Sequence, residues 1–103
     1  MDRIAQIIEM LKKDPVDAFL QHALALEYIK KGDDITARSI FEEVLARDPG
    51  YVGSYYHLAA LLERMGETAL AIHWYEAGMK AAKAAGDRKA YNELQAALET
   101  LLD

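Results

Sequence analysis

Three histidines, His22, His57 and His73, are the side chains of this 103-residue chain best suited to proton transfer or metal ligation. Imidazole titrates near neutrality and offers a nitrogen lone pair to a metal. Their spacing suits neither task. Each falls on a different predicted helix, and none has a His or Glu at the metalloprotease spacing. No carboxylate–histidine pair recurs at the three-residue step of di-iron bundles. With 0 Cys there is no disulfide, thiolate nucleophile or Cys-ligated zinc. Ser39 and Ser54 lack a nucleophile motif, and no Gly-rich phosphate loop is present. Glu42, Glu43 and Glu63 read as solvated helix faces, Trp74 as a packing residue, and the four Met as gap-fillers. The expectation is a protein that is not an enzyme, with no catalytic residue, no cofactor and no metal. A metal-dependent helical enzyme is the remote alternative, and it requires ligands assembled across helices.

Charge narrows the partners. The formal net charge is -5 and no run of Lys or Arg forms the basic stripe of a nucleic-acid binder. Lys12-Lys13 is the densest basic pair, and it falls at a helix end where cations suit the macrodipole. No apolar run approaches the roughly 20 residues that span a bilayer. No signal peptide is visible behind Met1-Asp2-Arg3. Neither nucleic acid nor membrane is expected, and a cytoplasmic location is the default reading.

These side chains need elements to hold them, and the composition favours helix throughout, with 6 Gly and 2 Pro. Ile4, Ile7, Ile8 and Leu11 recur at helical steps, which predicts a helix over 2–13. Asp14-Pro15-Val16-Asp17 is expected to end it and to begin the second, with Asp14 as cap and Pro15 in the first turn. Helix two runs to about Lys31, and its apolar residues form more than one stripe. Gly32 supplies a left-handed stop and Asp33-Asp34 a cap, so helices two and three form a hairpin. Helix three closes at Arg47-Asp48-Pro49-Gly50. Helix four is predicted from about Val52 to Met65, helix five from Thr68 to Gly86-Asp87, and helix six over 88–102.

A period runs through these helices. Leu24, Ala25, Tyr28, Gly32, Ala37 and Phe41 are answered 34 residues later by Leu58, Ala59, Leu62, Gly66, Ala71 and Tyr75. Lys83 stands where a second Pro would fall, so helix five is expected to run long. Tyr91, Leu94 and Leu98 echo Tyr55, Leu58 and Leu62 at a spacing of 36, two residues late.

The pattern resembles the tetratricopeptide repeat family, written W-x2-L-G-x2-Y, then A-x3-F, then P. Repeat one covers 16–49, with Gln21 in place of the large aromatic, and repeat two covers 50–85. The helix at 2–13 reads as the second half of a flanking repeat, and the helix at 88–102 as a first half that caps the end. The resemblance implies a single all-α domain over 1–103. In it, antiparallel helix hairpins stack into a short right-handed superhelix, an α-solenoid of about six helices. It also implies a concave face lined by the first helix of each repeat. Helix two would present Phe19, His22, Leu26, Ile29 and Lys30 there. Helix four would present Tyr56, His57, Ala60 and Arg64, and helix six Lys89 and Asn92, beside Glu93. The family subset that grips chaperone C-terminal carboxylates uses a Lys/Asn/Asn/Lys/Arg clamp. Here His22, Leu26, His57, Lys89 and Glu93 stand at those positions, only Lys89 agrees, and Glu93 repels a carboxylate. The function implied is a scaffold or adaptor that binds a peptide or protein surface in its groove. Self-association through helix faces is the alternative. The polar outer faces of the first and last helices favour a monomer or weak homodimer over a filament.

Overall fold

Where a proline follows, the helix before it stops, because the proline ring disfavours the helical conformation of the preceding residue. In the computed structural model, which describes residues 2–103, this happens twice. Asp14 and Asp48, each just ahead of a proline, take extended φ/ψ of −145/80° and −135/80° and end their helices. All regular structure among the described residues is helical: α1 (Arg3–Lys13), α2 (Ala18–Lys31), α3 (Asp34–Arg47), α4 (Gly53–Arg64), α5 (Thr68–Ala85) and α6 (Arg88–Leu102). They gather into two compact units, one ending at Asp48 and the other running Pro49–Asp103. Among the described residues no helix is long and apolar enough to cross a membrane.

In the first unit α2 packs on both α1 and α3, which accounts for its two apolar stripes. Ile7, Ala25, Ala37 and Phe41 are fully buried. Gly32 ends α2 at φ 88°, and the Asp33 side chain caps α3 by accepting from the Thr36 N–H at 3.1 Å and its hydroxyl at 2.7 Å. Those two bonds hold the Asp33 carboxyl below its ordinary range, the hydroxyl contact first. One sequence expectation needs correction. Helix two does not begin behind Asp14 with Pro15 in its first turn; it begins at Ala18, capped by Asp17, whose carboxylate accepts from the Leu20 N–H at 3.0 Å. Residues 14–17 instead form a turn, with the Asp17 N–H on the Asp14 carbonyl at 3.3 Å. The Pro15 carbonyl is held by the Gln21 side-chain amide at 2.8 Å.

That last bond explains Gln21. In the second unit the Tyr55 hydroxyl donates to the Pro49 carbonyl at 2.5 Å. Gln21 and Tyr55 are 34 residues apart, and so are Pro15 and Pro49. The side chain differs in type, but its tie to the turn six residues upstream is the same. Only the ring is lost, and with it the packing a ring supplies.

In the second unit α5 packs on both α4 and α6. Leu58, Ala59, Leu61, Leu62 and Ala71 are fully buried, with Tyr75 and Leu94 nearly so. The closest approach is at Gly78. A Cβ there would lie 2.6 Å from the Tyr55 Cβ, 3.0 Å from its Cγ and 3.1 Å from the Leu94 Cδ1. One residue without a side chain thus lets α5 close on α4 and α6 together. As expected without a proline at 83, α5 runs 18 residues and stops at Gly86, φ 71°.

Two mutational outcomes follow from this packing. Gly78→Ala gains about 1 kcal/mol of helix propensity, yet overpacking costs about 1–3 kcal/mol; the methyl meets a backbone-proximal carbon that cannot swing away. A net fall in thermal midpoint is expected, whereas Gly53→Ala, whose nearest neighbour is the Tyr51 ring at 4.0 Å, should leave it level or raise it. A rise for Gly78→Ala in thermal denaturation would contradict the close approach. Tyr55→Phe removes the bond to Pro49 from a ring that is 5% exposed, and should cost about 1 kcal/mol in urea unfolding.

Candidate binding cleft

In α2 the concave-face candidates split by environment. Phe19 is 68% exposed, and the Lys30 ammonium is paired with Glu27 at 3.2 Å. Leu26 and Ile29 are half-buried. His22 is also half-buried, its ring set edge-on to Phe41 with centroids 5.5 Å apart. Its register mate in the second unit does the same: Tyr56 meets Tyr75 edge-on at 6.1 Å. A ring at this step seals the hairpin and shows its outer edge to solvent, so the residue serves packing and surface together.

In the second unit a cleft of about 220 Å³ opens between α4 and α6, lined by Val52, Gly53, Tyr56, His57, Ala90, Glu93 and Leu94. Tyr56 is 41% exposed at its wall, its ring 5.9 Å from that of His57. His57 is half-buried, and burial first, then the Arg64 charge, lowers its pKa below the ordinary 6.5. It is therefore a neutral imidazole at neutral pH. Glu93 is exposed at the rim and is the one formally charged side chain in the lining. Of the residues singled out from the sequence, Tyr56 and His57 come together here. Ala60, Arg64 and Lys89 lie outside the lining. Asn92 lines a different cavity of about 350 Å³ between the end of α5 and the start of α6, with Lys83, Arg88 and Tyr91.

Sequence reasoning missed part of the cleft. Glu93 reads from sequence chiefly as a residue hostile to carboxylates. Yet it follows His57 by 36 residues, the same late step that relates Tyr91 to Tyr55, and that offset was the available signal. Ala90 and Leu94 are the small and apolar neighbours that the same step brings in. Glu63 is also more than a solvated residue, because its carboxylate accepts the Tyr75 hydroxyl. Burial, and then that bond, push the Tyr75 phenol well up, so it stays protonated and donates. In the first unit the same two positions hold Phe41 and Ile29. The polar pair in one repeat thus answers an apolar pair in the other.

The arrangement offers contact rather than bond-making. Ser54 is fully buried, and Trp74 packs with its ring 6.0 Å from Tyr55 and 5.2 Å from His73. Among the described residues no three His, Asp or Glu side chains gather as a metal site. The cleft has an apolar floor, an aromatic wall and a polar rim, which is how sites that hold a side chain are built.

Known proteins share this design. Tetratricopeptide repeat family models match residues 20–51 and 40–73. The tetratricopeptide repeat domain protein of Salinibacter ruber, solved in solution, is 42% identical with a TM-score of 0.82, covering 85% of this chain and 89% of that one. Its crystal structure gives 41% identity and a TM-score of 0.79, over 82% of this chain and 94% of that one. A protein from Bordetella parapertussis, 25% identical, has a TM-score of 0.85 over 99% of this chain and 89% of that one. Among curated proteins none matches the sequence. Repeats of this kind are generally protein–protein interaction modules and typically non-enzymatic scaffolds. With six helices in the repeat register and this similarity over most of its length, the chain belongs to the tetratricopeptide repeat family.

Proposed function

We propose that the protein is a non-enzymatic adaptor that holds a segment of another protein against the first helices of its repeats, with the α4–α6 cleft as an anchor point. The observation that carries this reading is the convergence of Tyr56, His57, Ala90 and Leu94 on one open cleft with no competing chemistry beside it. A partly exposed tyrosine is a favoured interface anchor, since it buries a large area at low entropic cost and keeps a polar tip. The exposed Phe19 on α2 would add a second apolar contact for the partner. The departures at the clamp positions argue against a chaperone tail as that partner. The partner reading keeps the protein a monomer or weak homodimer, located in the cytoplasm.

Two variants test it by opposite routes. Tyr56→Ala removes the anchor, and Ala90→Trp fills the cleft while leaving the α6 cap at Asp87 in place. Affinity capture from native cell extract should yield partners with the wild type that both variants lose by at least about tenfold, the 1.4 kcal/mol range of a single interface anchor. Circular dichroism melts establish that each variant is folded at the assay temperature. Retention of the same proteins by both folded variants would overturn the reading, and a tight dimer by light scattering with Tyr56 in its interface would replace it with self-association.

A further inference from the structure

Resting on that reading, we propose that the α4–α6 cleft is selective for one basic side chain of the bound segment, a lysine or arginine, with Glu93 as counter-ion and the Tyr56 ring against its stem. The lining residues converge on this class. Glu93 supplies the cleft's one formal charge, and it is negative. No ion pair joins it to Lys89, one helical turn away, or to any other cation among the described residues. The second titratable group, His57, is held neutral by burial and by Arg64, so it adds no competing positive charge at neutral pH. A neutral imidazole and the Tyr56 hydroxyl can both meet an ammonium or guanidinium, and the Tyr56 face attracts a cation electrostatically.

Shape agrees with charge. About 220 Å³ is the room of about seven waters, enough for one long side chain and far too little for a helix. Val52, Ala90 and Leu94 offer apolar walls to a methylene stem while Glu93 waits at the rim. Long basic side chains bury in this way, stem against carbon and head toward water. An acidic side chain would meet Glu93 and gain nothing from the Tyr56 face. The net charge of -5 also favours the approach of a basic segment.

The test uses four small probes on the isotope-labelled full chain: the N-acetyl amides of lysine, arginine, norleucine and glutamate. Amide shifts of Tyr56, His57, Ala90, Glu93 and Leu94 should move on titration with the lysine and arginine probes, more weakly with norleucine, and least with glutamate. Glu93→Gln, at an exposed position, should weaken the lysine and arginine probes by roughly fivefold, the size of a favourable exposed ion pair, and leave norleucine unchanged. Equal binding of norleucine and lysine, a preference for glutamate, indifference to Glu93→Gln, or no shift in the cleft with any probe would each overturn the proposal. Failure here is separable from failure of the adaptor reading. If Glu93→Gln keeps the captured partners that Tyr56→Ala and Ala90→Trp lose, the cleft binds protein without selecting a cation. If all three variants keep them, the adaptor reading itself has failed.

Discussion

The second unit depends on the contact between Gly78 and Tyr55. Helix α5 has neighbours on two sides, and a residue with no side chain at 78 lets it approach the Tyr55 Cβ and Leu94 together. Close packing of this kind leaves no slack, because interiors are filled to crystal-like density. With α5 so placed, Tyr55 can reach back to the Pro49 carbonyl, Tyr75 can reach Glu63, and α6 takes its position opposite α4. The α4–α6 cleft is the space left over by that arrangement. Its width is fixed by the thickness of α5 at Gly78 as much as by any residue in its lining.

The two repeats solve the same packing problem with different side chains. Gln21 and Tyr55 both bind the carbonyl of a proline six residues earlier, one through an amide and one through a phenol. His22–Phe41 and Tyr56–Tyr75 are both edge-on ring pairs. Phe41 beside Ile29, and Tyr75 beside Glu63, are an apolar and a polar version of one contact. What each repeat keeps is the geometry of the helix pair. What it varies is how much polarity it brings to the outward edge, and that is the freedom a binding surface draws on. Tyr56 and His22 stand at the same step, yet one shows a phenol to solvent and the other a half-buried imidazole.

Much of the fold was legible because the signals are local. The 34-residue period, the left-handed glycine after α2 and the missing proline at 83 each specify backbone conformation within a few residues. The long α5 follows from them directly. The start of α2 was misread for an equally local reason: two aspartates, Asp14 and Asp17, were both plausible caps. The choice fell to Asp17 because Asp14, immediately ahead of Pro15, is pushed into extended backbone.

The site was legible only in part, since a cleft is a relation between helices. Tyr56 and His57 could be placed on the first helix of a repeat from their spacing alone. That Glu93 joins them, and that Asn92 next to it turns to another cavity, depends on the rotation of α6 about its axis. No residue of α6 encodes that rotation by itself; it is set where Leu94 meets α5 at Gly78. The sequence by itself determined six helices, their repeat register and the family, because periodicity and turn chemistry act along the chain. Tertiary structure alone decided which side chains share a cleft, which carboxylate is engaged by a phenol, and which imidazole is held neutral. Those outcomes depend on distance and burial, which arise only when helices meet.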